Sequence, residues 1–208
     1  MGKVEFYFVR HGETEWNKEG RLQGWLNSNL TDYGREQVRT LKQELRQITF
    51  DAVYSSPLQR AVETAEILVG DTTQIQLDDR LKEIHLGSWQ GRKIADIWEE
   101  DYDRYFAYCN QPQCYIPDRG ETFLEVSARM TELLWECLKQ YKNVNILLIT
   151  HGVAIRALLI HILGLKSDQI WDFEEIDGAS VTKLVAENNN IAVQYIGKSI
   201  NNHNFIEI

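Results

Sequence analysis

Cysteine is scarce in this chain of 208 residues: Cys109, Cys114 and Cys137 are all it has. An odd number with no C-x-x-C spacing excludes a disulfide framework and a structural zinc site, and points to a reducing compartment. Long apolar runs are missing too. None approaches the roughly 20 residues needed to cross a bilayer, and the opening MGKVEFYF has no apolar region behind a basic start, so neither a membrane span nor a secretory leader is expected. Phe6 stands where myristoylation would require Ser or Thr. Positive charge is in deficit: 22 Lys and Arg face 31 Asp and Glu, for a net charge of -9. A nucleic-acid or anionic-membrane surface normally needs a basic face, so neither partner is expected and the expected location is the cytoplasm.

What is present suffices for a core without staples. The chain reads as a single domain over 1–208. Residues 4 to 9 are short, aromatic and β-branched and read as a buried strand. Thr31 predicts an N-cap for a helix over 32–47, with Val38, Leu41, Leu45 and Ile48 near one face. A short strand AVYSS follows, then Pro57 in the first turn of another helix, where its missing N–H costs nothing. The small apolar residues of that helix, Ala61, Ala65 and Leu68, imply close packing. After a weak strand, QIQL, and the turn-rich EIHLGSWQG, residues 92–119 break the alternation: aromatics among acids, with two of the three prolines, predict a helical lid or insertion. A helix over 121–141 presents Phe123, Val126, Met130, Leu133, Leu134 and Cys137 as a core stripe. NILLIT reads as a strand buried on both faces, ending at His151-Gly152 ahead of a helix from Val153. SVTKLVA and IAVQYIG flank Asn188-Asn189-Asn190 as a hairpin. Alternating strands and helices predict an α/β fold, a three-layer α-β-α sandwich around a mainly parallel sheet.

In such sheets, ligands bind where strands end. Three strand ends carry unusual chemistry: Arg10-His11-Gly12, then Ser55-Ser56-Pro57 with Arg60 one turn into the next helix, then His151-Gly152. Two arginines and two histidines converging there form a local cationic pocket in an acidic chain, which suits a phosphate group better than a carboxylate or a metal. No metal is expected, because Arg10 would repel a cation and no H-x-x-x-H pair exists. A helical arginine is ordinarily solvated or paired, and Glu63 lies three residues from Arg60. His85, His161 and His203 fall outside these strand ends and read as structural or exposed.

RHGETEWN, SSPLQRAVETA, the glutamate and glycines of EIHLGSWQG, and THG together resemble the histidine phosphatase superfamily, in the branch that includes the cofactor-dependent phosphoglycerate mutases. The resemblance covers nearly the whole chain in the family's order. EIHLGSWQG and the later RGETF are most similar to the short bacterial broad-specificity phosphatases of that branch. The resemblance implies His11 as a nucleophile passing through a phosphohistidine, with Arg10, Arg60 and His151 holding the phosphoryl oxygens. A neutral imidazole can attack phosphorus without a strong base. Glu83 is implied as the acid for the departing alcohol and then the base for water, a double role that burial favours and nearby arginines oppose. Asn17 and Gln23 match positions of neutral hydrogen bonds to the phosphoryl group, and Gly12 and Gly152 are expected to let the backbone approach closely.

The expected activity is therefore hydrolysis of a small phosphorylated metabolite, with no cofactor. The alternatives are a cofactor-dependent phosphoglycerate mutase and a non-catalytic phosphate-binding module. A mutase wants extra cations for a second phosphate, whereas residues 92–119 carry Arg92, Lys93, Arg104 and Arg119 against six acids. A pure binder has no need to keep both His11 and Glu83. The long helix and the terminal hairpin each offer a surface for a homodimer, and nothing in the sequence chooses between one copy and two.

Overall fold

The computed structural model describes residues 2–188 and 190–198, so Asn189 of the expected turn and His203 lie outside the described residues. Six strands form one sheet: β1 (Val4–Arg10), β2 (Ala52–Ser55), β3 (Gln76–Leu77), β4 (Val144–Thr150), β5 (Val181–Glu187) and β6 (Asn190–Lys198). Their order is β3-β2-β4-β1-β5-β6, with β1, β2, β3 and β4 parallel and β5 and β6 antiparallel at one side. The central pair β1 and β4 is in register from Val4 opposite Val144 to Arg10 opposite Thr150, so the two chemistry-bearing strand ends stop side by side.

The three layers follow from the period of two along a strand. On β1, Phe6 and Phe8 point into one core, with Ile146 and Leu148 of β4, while Tyr7 and Val9 point into the other with Leu147 and Ile149. Two helices cover the second face, α2 (Asp32–Leu45) and α3 (Gln59–Val69), after the short α1 (Glu15–Lys18). Val38 and Leu41 of α2 meet Ala61, Ala65 and Leu68 of α3 there, and the small alanines bring α3 close. On the first face lie α4 (Ile94–Glu100), α5 (Tyr102–Asn110), the long α6 (Phe123–Gln140) and α7 (Gly152–Ile162).

Local chemistry sets most boundaries. Thr31 caps α2 by accepting from Gly34 N at 2.9 Å, and Thr122 with Glu125 forms a capping box that starts α6 two residues later than expected. The predicted α6 stripe is buried throughout, Phe123 to Cys137. Pro57 is not in a helical turn: α3 starts at Gln59, with Leu58 extended at its N-cap, because Ser56 and Pro57 still carry the chain off β2. Residues 92–119 are helical as expected. Their aromatics are mostly core, since Tyr105, Tyr108 and Tyr115 ring Trp89, and Tyr108 also packs on Phe123 and Trp171. Trp98 and Tyr102 stay exposed.

Gly12 lies against the backbone of Gly34. It has no left-handed φ, and a Cβ on it would lie 2.6 Å from Gly34 O, while a Cβ on Gly34 would lie 2.1 Å from Glu13 O. A close approach that demands glycine here is between the strand end and the first turn of α2. No helix among the described residues is long and apolar enough to cross a membrane.

Candidate active site

The strand ends place four predicted side chains within reach of one another. His11, 3 % exposed, follows β1; His151, fully buried, follows β4 as the N-cap of α7; the two rings lie 5.1 Å apart, centroid to centroid. Arg60 is fully buried in the first turn of α3. Glu63 does not pair with it: that carboxylate goes to Arg35, 2.7 Å away on α2. Arg60 turns inward instead. Its Nε–H donates to His11 Nε2 at 3.2 Å, Nη1 to Leu26 O at 2.8 Å and Nη2 to Gly24 O at 2.7 Å. One guanidinium therefore straps the loop 24–27 to the histidine.

The tautomer of His11 follows from its partners. Gly12 O, 2.7 Å from Nδ1, can only accept, so Nδ1 carries the proton and Nε2 keeps its lone pair facing the Arg60 Nε–H. Burial, with Arg60 and Arg10 nearby, holds the His11 pKa well below the usual histidine range, and burial, Arg60 and His11 do the same to His151. Both rings are thus neutral at pH 7. Burial also pulls Arg60 down to about 10, which leaves it charged.

A stability consequence follows with a definite sign. Below pH 6.5 an unfolded histidine takes a proton that the buried one refuses, so the unfolded state binds more protons and stability falls as pH drops. Each ring contributes a slope of about 1.4 kcal/mol per pH unit below its unfolded pKa of about 6.5. Urea unfolding should show a loss of roughly 2–3 kcal/mol between pH 7.5 and 5.5 from the two together. Imidazole resonances of His11 and His151 that titrate near 6.5 in the folded protein would contradict this.

Arg10 donates through Nη1 to Ile176 O, and its Nε is buried with no hydrogen-bond partner among the described residues. His151 Nδ1 is in the same condition, while its Nε2 sits 2.8 Å from Ser56 Oγ. Gly152 opens α7 with its α-carbon toward Arg10; a Cβ there would make ordinary contact, 3.6 Å from Arg10 Nε. Glu83 lies in the turn after β3, partly buried, with its carboxylate across the first turn of α7. It accepts from Ala154 N at 3.1 Å, Val153 N at 3.3 Å and Ile84 N at 2.9 Å. Burial lowers the pKa of both Arg10 and Arg60, and the nearby Glu83 charge offsets part of that fall.

Asn17 and Gln23 are brought to each other. Asn17 Oδ1 accepts from Thr14 N and Thr14 Oγ1 in the capping box of α1, and Gln23 Nε2 donates to Thr14 Oγ1 at 2.8 Å. Neither hydrogen-bonds to the two histidines or the two arginines among the described residues.

Sequence reasoning missed Thr14 and Thr64 as parts of the site, and placed Ser56 at its strand end without a partner. Thr64 accepts from Gly12 N at 3.2 Å and donates to Arg60 O at 2.7 Å, joining the two motifs. Ser56 stood inside the SSP run, and Thr14 heads a T-x-x-N spacing that signals a helix cap. Thr64 had no signal beyond its place one turn after Arg60. Among the described residues no three His, Cys, Asp or Glu side chains cluster to hold a metal ion. The assembled charge favours an anion.

A fully buried arginine donates to the lone pair of a neutral histidine, with a second arginine and a second histidine alongside, and residues 6–199 match the histidine phosphatase superfamily (branch 1), the family that the sequence motifs resemble. The chain belongs to that family. Phosphoserine phosphatase 1 of Hydrogenobacter thermophilus is 32% identical over 185 residues, covering 88% of this chain and 87% of that protein. A probable phosphoglycerate mutase, GpmB of Escherichia fergusonii, is 36% identical over 165 residues, 79% of this chain and 77% of its own. Among solved structures, YhfR of Bacillus stearothermophilus superposes with a TM-score of 0.90 at 34% identity, covering 93% of this chain and 96% of that one. This histidine phosphatase fold is therefore near complete in both directions of comparison.

Proposed function

We propose that this chain is a phosphatase that hydrolyses small phosphate monoesters through a phosphohistidine on His11, working as one domain with residues 92–119 as a lid. The observation that carries the reading is the His11 imidazole: neutral, its proton fixed on Nδ1, its Nε2 lone pair turned to the Nε–H of a buried arginine. In the first step Nε2 attacks phosphorus, the bond to the alcohol oxygen breaks, and Glu83 gives that oxygen a proton. In the second, Glu83 takes a proton from water as the water attacks phosphorus, and phosphate leaves Nε2.

Arg60 Nε–H, already directed at Nε2, passes to a phosphoryl oxygen as the P–N bond forms. Arg10 Nε offers a second buried donor. With Ser56 Oγ–H donating to His151 Nε2, His151 carries its own proton on Nδ1 and supplies a third. These donors act where charge shifts during transfer, without reorganising, which is how phosphoryl transfer is chiefly accelerated. The Asn17 amide and Gln23, held near each other by Thr14, add neutral donors at the rim, and Gly152 keeps the approach to Arg10 free of a side chain.

Hydrolysis is favoured over mutase chemistry by where the lid's cations go. Arg92 pairs with Glu100, Arg104 with Asp101 and Asp118, and Arg119 with Asp118. Lys93 alone has no ion pair among the described residues, so the lid keeps little positive charge for a second phosphate.

The test is a two-product assay of metal-free protein on monophosphates that include phosphoserine, p-nitrophenyl phosphate and 3-phosphoglycerate with and without its bisphosphate. Free phosphate should appear from several esters while 2-phosphoglycerate stays at background. Faster formation of 2-phosphoglycerate than of phosphate would make the chain a mutase. Tight binding with no phosphate released from any ester would make it a binding module.

A further inference from the structure

Outside the catalytic cluster, Arg129 and Glu121 form an ion pair whose hydrogen bonds all converge on one segment. Arg129 projects from α6, its side chain 15% exposed, and its Nε and Nη2 meet the two Glu121 carboxylate oxygens at 2.8 and 3.0 Å. The rest of the guanidinium serves backbone: Nη1 donates to Arg80 O and to Lys82 O, each at 2.7 Å, and Nη2 to Glu83 O at 3.0 Å. Glu121 completes the frame by accepting from His85 N at 2.8 Å, and its own N–H donates to His85 O at 2.8 Å. Every carbonyl Arg129 holds, and both groups Glu121 holds, thus belong to residues 80–85, with Glu83 in their midst.

The segment has no strand or helix ladder of its own beyond a single 3-10 turn over Asp79–Leu81, so side chains supply the partners of its carbonyls. On the other side, Trp25 Nε1 also donates to Glu83 O, at 2.8 Å. The Glu83 carboxylate, for its part, reaches α7. Its main chain is held from α6 and its side chain from α7, which confines the carboxylate on both ends.

We infer that Arg129 and Glu121 are positioning residues for the candidate acid: they set the height and angle of the Glu83 main chain so that its carboxyl lines up with the leaving oxygen. The inference rests on the assignment of Glu83 as proton donor. A general acid contributes about 10² to 10⁴ in rate, and displacement by about 1 Å can forfeit about 10². That contribution is largest for an alkoxide leaving group and small for p-nitrophenolate, which departs without a proton. A residue that positions the acid should therefore affect the two classes of ester differently, and one that merely supports the fold should affect them alike.

The experiment compares kcat/KM for phosphoserine and p-nitrophenyl phosphate in the wild type, Arg129→Lys, Glu121→Gln and Glu83→Gln. The parameter kcat/KM reports steps up to formation of the phosphoenzyme, and the ratio between esters is indifferent to a fraction of unfolded protein, which hydrolyses neither. Arg129→Lys keeps the charge but cannot span three carbonyls and a carboxylate at once. The expected result is an aryl-to-alkyl ratio raised about tenfold or more in Arg129→Lys and in Glu121→Gln, in the same direction as in Glu83→Gln. If Arg129→Lys does not fold, Glu121→Gln carries the same comparison. A ratio unchanged in both variants, while Glu83→Gln raises it, overturns the positioning role. If Glu83→Gln itself leaves the ratio unchanged, the assignment of Glu83 as the acid is what fails.

Discussion

His11→Ala is expected to abolish the phosphoenzyme and to lower kcat/KM by about 10⁴-fold or more, because the covalent route disappears with its nucleophile. Two histidines 5.1 Å apart are both buried and both neutral, so burial and charge do not distinguish the nucleophile from the other ring. The hydrogen bonds differ. His11 has one nitrogen fixed as donor by a carbonyl and the other left with a lone pair facing a guanidinium N–H, a partner that can move onto a phosphoryl oxygen. His151 uses Nε2 on Ser56 and offers Nδ1 as a buried group suited to donating. Rapid-quench labelling with a radioactive monoester separates the two readings. Acid-labile, alkali-stable label should form in the wild type and in His151→Ala, where it accumulates more slowly, and be absent from His11→Ala. Label that survives in His11→Ala would move the nucleophile to the second ring.

The second large effect is at Arg60. Arg60→Ala is expected to lower kcat/KM by about 10³-fold, and Arg60→Lys to recover less than a tenth of that loss. The reason is geometric as well as electrostatic. The guanidinium addresses His11 with Nε while its two Nη atoms hold Gly24 O and Leu26 O, so removal takes away a phosphoryl ligand and frees the loop. A lysine retains charge as a point and cannot reach three acceptors in that fork. Each carbonyl left unmatched in the interior should cost about 1–3 kcal/mol of stability, which a urea midpoint would register separately from the kinetics. Arg60→Lys within tenfold of wild type would mean that charge alone suffices and that the strap is not needed.

These two predictions draw on different layers of information. His11 and Arg60 were legible in the sequence because RHG and SSPLQR lie at strand ends, where backbone direction alone brings side chains to a common edge. The α6 stripe and the two faces of β4 were legible for a similar reason, since apolar periodicity reports which side of an element is buried. Boundaries were less so. Pro57 looked like a helical first turn, yet α3 starts at Gln59, because a proline is as compatible with the extended chain leaving β2 as with a helix start. The packing of Gly12 on Gly34, 22 residues further along, had no local signal either.

The layered α/β architecture, the family and the charged side chains at three strand ends each depend on local period or on a contiguous motif, and all of them can be read along the chain. What those side chains face is set by how the elements pack. The proton on His11 Nδ1, the inward turn of Arg60 away from Glu63 and the frame of Arg129 and Glu121 around Glu83 all join residues distant in sequence or choose among partners equally near. Burial made those choices. In water each of these groups has many equivalent partners, and once desolvated it must take the few within about 3 Å that the packing supplies.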